Sequence, residues 1–499
     1  MLVCGVALGA ITCLVQQAWA ASWPAATDGT YVEPEFRFAD GETMRNLRLH
    51  YVTLGTIHRD AAGHVDNAVL ILHGTGGDTT QFLRDEFAGV MFVPGGLLDA
   101  SKYFIVITDG IGHGKSSKPS DGLREKFPHY GYRDMIRAQH DVLVDALHVD
   151  HLMLVMGTSM GGMQTWLWGE TYPSMMDLLM PLASLPIQIS GRDRVWRDMM
   201  VDDVRNDPDY RGGEYKSEPI HGIRAAWYVE WIFSSAPLYD QTLMPNEAAA
   251  DASFNDKVKP LAMSFDANDM IYQLEASRDY DPEPDLGKIT AALLAVNSAD
   301  DQINPPELGI IDKEIEKVRH GRFVLLPITP TTRGHGTHTL AAVWENELHE
   351  LLNTYVNVPL HRLSDGRRVD FGRDDGTTIE LPTNWSADAG LRGIHDVVYL
   401  LRPDIGPGQL ELVLSTAFYQ RPLTLPDGKP YCRNGLHGQT TVEDGRRTIM
   451  LVFPHDRNRI TLPADRGPLH QVYMTFRADD AAAERIAHSF RFPAVATKC

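Results

Sequence analysis

One stretch constrains this chain more than any other: Leu152-Met153-Leu154-Val155-Met156-Gly157-Thr158-Ser159-Met160-Gly161-Gly162-Met163. Five apolar residues run without interruption into Gly-x-Ser-x-Gly. An apolar run of that length suits a strand buried on both faces, and the glycines suit a turn too tight for side chains. From Met163 to Tyr172 only Gly169 interrupts a helical pattern, which Pro173 ends. Strand, sharp turn and helix would leave Ser159 at the apex. Its hydroxyl is then pushed out at the strand end, with a helix N-terminus behind it that favours developing negative charge. The plainer alternative is a Gly/Ser turn that fits the pattern by coincidence.

At 499 residues the chain calls for at least two domains. Hydrophobic content of 43% and charged content of 22% are those of a water-soluble globular protein. A formal net charge of −20 speaks against nucleic acid and against an anionic membrane surface, so no stable membrane partner is expected. Residues 2–15 are apolar and the first charge is Asp28. Ala18-Trp19-Ala20 has the small-x-small pattern of a signal-peptidase site, so the expectation is a signal peptide over residues 1–20 and a periplasmic or secreted protein. The alternative is an uncleaved N-terminal membrane anchor. Cleavage leaves Cys432 and Cys499, which form one disulfide or remain two free thiols.

Tyr31 to Phe38 and Leu47 to Leu54 read as an opening antiparallel hairpin. Apolar strands follow at 68–72, 103–108, 178–182, 291–296 and 323–326, with helical patterns at 135–147, 310–319 and 339–352. Strands alternating with helices indicate a mostly parallel sheet with helices on both faces. Residues 186–288 break that rhythm. They are helix-like, charged and rich in Trp and Met, and read as a helical cap whose aromatics (Trp196, Trp227, Trp231, Phe233) mostly form its own core. The first domain therefore spans 21–360. Residues 362–499 change character again, with frequent turn pairs such as Asp365-Gly366 and Asp427-Gly428 between short strand-like runs, and a helical pattern at 480–489. They predict a separate strand-rich α+β domain without a catalytic motif.

A serine hydroxyl is a poor nucleophile until an imidazole takes its proton, and the imidazole needs a carboxylate to fix its tautomer. After Ser159, the strand 291–296 is followed by Asp300-Asp301, and the strand 323–326 is followed by Gly334-His335. Chain order and position match the Ser, acid, His sequence of the α/β-hydrolase fold. The expected catalytic residues are Ser159, His335 and one of the two aspartates, with His338 in reserve. The oxyanion hole needs two backbone N–H groups. Met160, next to the nucleophile, would give one, and Thr75 in His73-Gly74-Thr75-Gly76-Gly77 would give the other. Gly114-Lys115-Ser116 lacks the first glycine of a phosphate-binding loop and reads as a structural turn. His335-x-x-His338 has no third ligand nearby, and no metal or other cofactor is expected.

Phe127-Pro128-His129-Tyr130-Gly131-Tyr132-Arg133-Asp134-Met135, the elbow through Met163-Gln164, and Phe265-Asp266-Ala267-Asn268 resemble the homoserine O-acetyltransferase family, an acyltransferase branch of the α/β-hydrolases. Arg278-Asp279-Tyr280, Asp301-Gln302-Ile303-Asn304-Pro305-Pro306 and Gly334-His335 continue the likeness, which covers residues 31–352. The resemblance implies that Asp301 rather than Asp300 is the acid. It also shows two departures. Ser264 stands where the family usually has Arg, and Gly336 where it usually has Asp.

The leading expectation is an exported serine hydrolase that cleaves a small carboxylic ester through an acyl-enzyme on Ser159. An O-acyltransferase with the same triad and an alcohol acceptor is the alternative. A non-catalytic envelope or binding protein is the third reading. Oligomeric state is left open, a dimer included.

Overall fold

The apolar runs pair into one sheet. In this computed structural model the described residues are 23–59, 63–352 and, beyond them, 358–359, 368–370, 378–380, 386–392, 395–401, 412–419, 428–433, 436–443, 446–454 and 469–477. β1 (Thr27–Arg37) and β2 (Thr43–Leu54) form the opening hairpin, in antiparallel register. β3 (Ala68–Leu72), β4 (Phe104–Thr108), β5 (Leu152–Thr158), β6 (Met176–Leu182), β7 (Ala292–Ser298) and β8 (Gly321–Leu326) follow. The sheet order is β1-β2-β4-β3-β5-β6-β7-β8. From β4 to β8 all neighbours are parallel, and β2 joins β4 antiparallel.

Every residue of β3, β4 and β7 is buried, as strands covered on both faces require. Alternation then divides their side chains between two cores. Leu70 and Leu72 face one core with Trp166 and Trp168. Val69 and Ile71 face the other with Phe87 and Trp344. Each fully buried aliphatic side chain contributes about 1.5–3 kcal/mol, so these runs carry much of the domain's stability. Parallel strands all end on one edge, and the loops at that edge hold the residues singled out above.

The cap lies between β6 and β7. Its helices Gly191–Arg205, Ile220–Ser234 and Ala267–Glu275 pack around Trp196, Met200, Ile223, Met270 and Ile271. Phe233 lies against this core and Trp227 is part-buried, its indole N–H bonded to the Val258 carbonyl. Met199 stands out in solvent.

Three helices differ from their sequence patterns. The helix after the elbow starts at Met160, three residues earlier than the pattern indicates. Gly161 and Gly162 are poor helix formers, but burial against the sheet overrides propensity there. The helix expected at 135–147 runs from Tyr132 to Asp141 and continues as one wider turn over Val142–Ala146. The third, Ile310–Glu314, tightens into a 3₁₀ turn at Ile315–Lys317.

The described C-terminal strands form a second eight-stranded sheet, antiparallel throughout, and Arg368–Asp370 pairs with Thr378–Glu380 in a separate two-stranded ribbon. The helix expected at 480–489, the Cys432–Cys499 disulfide and the signal peptide lie outside the residues or side chains described. Among the described residues no helix is long and apolar enough to cross a membrane.

The elbow is closed by backbone contact. A Cβ on Gly157 would lie 2.2 Å from the Gly161 carbonyl oxygen, and one on Gly161 would lie 2.0 Å from that of Leu72. Gly161→Ala therefore forces β3 and the helix Met160–Thr171 apart. The expected outcome is a loss of roughly 1–3 kcal/mol or more in unfolding free energy, read as a lower Tm; an unchanged Tm would contradict the close packing described.

Candidate active site

Ser159 sits between the end of β5 and its helix with φ +57° and ψ −115°, a conformation that costs a non-glycine residue of order 1–3 kcal/mol. Its own N–H donates to the Leu182 carbonyl at 2.9 Å, which fixes the turn against β6. The Ser159 hydroxyl lies 2.8 Å from Nε2 of His335. Nδ1 of His335 lies 2.8 Å from Oδ2 of Asp301. Ser159, His335 and Asp301 thus form one unbroken relay at the carboxyl edge of the sheet.

Asp301 is wholly buried, and its charge is met from several sides. Oδ1 accepts from the Ile303 and Asn304 N–H groups at 2.8 and 3.1 Å, and Oδ2 from the Asn304 amide at 3.1 Å. Burial alone would raise the Asp301 carboxyl, but His335 and these donors outweigh it and hold it below the usual range. Asp300 does different work. Its Oδ2 accepts from the Gly334 N–H at 3.1 Å, so the neighbouring aspartate pins the loop that carries His335.

His335 is itself 6% exposed. Burial opposes its protonation, yet Asp301, and beyond it Glu230 and Asp193 of the cap, outweigh burial and raise its pKa above 6.5. His338 packs edge-on against the His335 ring, centroids 5.0 Å apart. Burial, and then His335, push its pKa down to about 3, so it stays neutral and outside the relay. Among the described residues no group of three or more His, Cys, Asp or Glu could hold a metal ion.

The loop after β3 is held from three directions. The Gly74 N–H donates to Oε1 of Gln81 at 3.0 Å, and Nε2 of Gln81 donates to the Thr158 hydroxyl at 2.8 Å. Gln81 thereby links this loop to the residue before the nucleophile. Nδ1 of His73 donates to the Gly74 carbonyl at 2.8 Å, while Nε2 accepts from the Gly110 N–H at 3.0 Å. That pair of bonds requires neutral His73 protonated on Nδ1. Among the described residues, the Thr75 and Met160 N–H groups donate to no acceptor. Met160 directly follows Ser159, and a Cβ on Gly74, next to Thr75, would lie 3.4 Å from Ser159 Cβ; free N–H groups so placed can bind the oxygen of a tetrahedral adduct.

Sequence reasoning missed Gln81, His73, Asn304 and the service of Asp300, since each acts through a backbone contact that leaves no spacing signal. The turn at 109–116 is structural. Buried Asp109 accepts from Thr79 N–H at 2.7 Å, from Lys115 N–H at 2.8 Å and from the His50 ring at 2.7 Å. Asp279 binds the Tyr132 and Arg133 N–H groups at 2.8 and 3.0 Å, which ties the end of the cap to the Phe127–Met135 block.

A family model described as the alpha/beta hydrolase fold matches residues 67–312. A protein of Methanothermobacter thermautotrophicus named "Probable acyltransferase" is 29% identical over 278 residues, 56% of this chain and 83% of that protein. The homoserine O-acetyltransferase of Moorella thermoacetica is 30% identical over 270 residues, 47% of this chain and 70% of that enzyme. Among solved structures, an acetylester hydrolase from Corynebacterium glutamicum shares the fold with a TM-score of 0.57 at 22% identity, over 65% of this chain and 95% of the other. Elbow, fold and relatives converge, and the chain belongs to the α/β-hydrolase superfamily, in its homoserine O-acetyltransferase-like branch, as an enzyme of the hydrolase or acyltransferase kind.

Proposed function

We propose that this enzyme is an exported serine esterase that cleaves a small carboxylic ester through an acyl-enzyme on Ser159. The observation that carries this reading is the relay from the Ser159 hydroxyl through His335 to Asp301. His335 takes the hydroxyl proton as the Ser159 oxygen attacks the ester carbonyl. Asp301 keeps the ring oriented and balances the imidazolium. The Thr75 and Met160 N–H groups hold the oxyanion, helped by the helix N-terminus at Met160. The alcohol leaves with the proton from His335. Water, deprotonated by the same ring, then splits the acyl-enzyme and restores Ser159.

Hydrolysis is favoured over transfer to an amino-acid acceptor by two residues. Ser264 is exposed and its hydroxyl donates to the Leu261 carbonyl at 2.7 Å. At Gly336 the family's usual carboxylate is missing. The apolar, uncharged run before Ala18-Trp19-Ala20, read as an export signal, supports the same choice, because an acetyl thioester donor of the cytoplasm would be out of reach of an exported enzyme. The names of the acyltransferase relatives favour the second reading, transfer of the same acyl group to an alcohol.

Ser159→Ala should lower turnover of small acyl esters by roughly 10⁴-fold or more, with the fold retained. Near-native turnover in that variant would exclude the mechanism. Adding alcohols to the reaction separates the two readings, since a transferase yields transacylated product in preference to free acid. Because only neutral His335 can accept the proton, kcat/KM should fall as pH drops through a midpoint above 6.5. An acid limb centred below 6.5 would contradict the charge balance around the ring. Gln81→Leu frees the oxyanion loop, and kcat should drop roughly 10- to 100-fold while KM changes little; an unchanged kcat would show that Gln81 does not position the loop.

A further inference from the structure

Beside the relay lies a group of polar side chains that the ester chemistry leaves unused. The Tyr132 residue is 0% exposed, yet its hydroxyl has no hydrogen-bond partner among the described residues. It stands next to the side chain of Thr75, whose hydroxyl is also buried and unpartnered. Arg197, 3% exposed on the first cap helix, donates from Nε to Asp193 at 2.8 Å and leaves Nη1 buried without an acceptor. Arg197 is within electrostatic reach of both Tyr132 and Glu230, and Glu230 in turn of His335. The Glu230 carboxyl, part-buried on the second cap helix, makes no hydrogen bond or ion pair among the described residues.

A buried polar group left unmet destabilises the fold by more than a typical hydrogen bond stabilises it. Pairing the two hydroxyls with each other would use one O–H and leave the second, together with Arg197 Nη1, still unmet. Several such groups within electrostatic reach of one another and of His335 are accounted for if the substrate supplies their partners. The set offers a donor (Arg197), two groups that donate or accept (Tyr132, Thr75) and an acceptor (Glu230). Charge narrows the ligand. Asp193 already neutralises Arg197, and Glu230 and Asp301 add negative charge near His335, so an anionic substituent is repelled. A cationic one offers no acceptor and would leave Arg197 Nη1 unmet. A neutral hydroxyl, which both donates and accepts, satisfies the set.

We propose that Tyr132, Arg197, Glu230 and the Thr75 side chain form a subsite for a hydroxyl-bearing part of the substrate, making the enzyme selective for hydroxylated esters over plain alkyl esters. This rests on the esterase reading, and the test keeps the two apart. Wild-type kcat/KM is measured for two matched pairs: glycerol monoacetate against propyl acetate, and propyl glycolate against propyl acetate. Preference in the first pair assigns the hydroxyl to the alcohol, and preference in the second assigns it to the acyl group. Acetylcholine and a propyl hemisuccinate ester serve as cationic and anionic controls.

Tyr132→Phe removes one hydroxyl and keeps the ring. It should cut the preference for the hydroxylated ester about three- to tenfold, the worth of one neutral hydrogen bond, and Glu230→Gln should reduce it as well. Tm of Tyr132→Phe should be unchanged or higher, because the hydroxyl makes no hydrogen bond among the described residues. The same ligand pairs are titrated against Ser159→Ala, with binding read by saturation-transfer NMR. If no ester is hydrolysed, the esterase reading fails, and the binding ratio and its loss on adding Tyr132→Phe still decide the subsite. Absence of preference in both assays, a preference untouched by Tyr132→Phe, or selection of either charged control would overturn the proposal.

Discussion

Everything at this site depends on one imidazole held between two partners that come from distant parts of the chain. His335 bonds a serine 176 residues before it and an aspartate 34 residues before it. Neither contact is local, and closing such loops costs conformational entropy that the ring's two hydrogen bonds do not repay. The sheet does so instead. Its parallel strands end at a common edge, and the turns after β5, β7 and β8 deliver the three side chains there. The apolar cores on both faces thus provide the rigidity on which the relay rests.

The second constraint is charge. A buried imidazole resists protonation, while the proposed chemistry requires it to hold a proton in the transition state. Asp301 resolves the conflict because its own charge is stabilised by the Ile303 and Asn304 N–H groups and the Asn304 amide. The cap adds to the same balance through Asp193 and Glu230. It is therefore an electrostatic part of the site as well as a cover over it. Its helix Ile220–Ser234 ends against the His335 loop, where a Cβ on Gly334 would lie 2.7 Å from the Ser235 carbonyl oxygen.

The parts of this arrangement legible in the sequence were those with a strong periodic or compositional signature. Uninterrupted apolar runs marked β3 to β7, and the Gly-x-Ser-x-Gly turn marked the elbow. Order along the chain was enough to single out Ser159, an aspartate pair and His335. Adjacent Asp300 and Asp301 were alike in composition, and only the resemblance distinguished them; in the fold one holds the ring and the other holds the loop. Gln81 was illegible for a related reason. Its two hydrogen bonds join residues 7 and 77 positions away, and nothing in a glutamine's surroundings in sequence announces such a bridge. The early start of the helix after Ser159 was hidden by Gly161 and Gly162, whose weak propensity is outweighed by packing against the sheet too close to admit a Cβ. Helix ends at Asp141 and Glu314 depended on tertiary packing that periodicity does not record.

In the proposed mechanism Ser159 carries the acyl group between attack and release. Rapid quenching of the enzyme in acid during turnover of a small ester, followed by peptide mass spectrometry, tests it most directly. An added acyl mass is expected on the peptide that contains Ser159, absent from Ser159→Ala. Turnover with no acyl group on that peptide, or with the group on another residue, would contradict it.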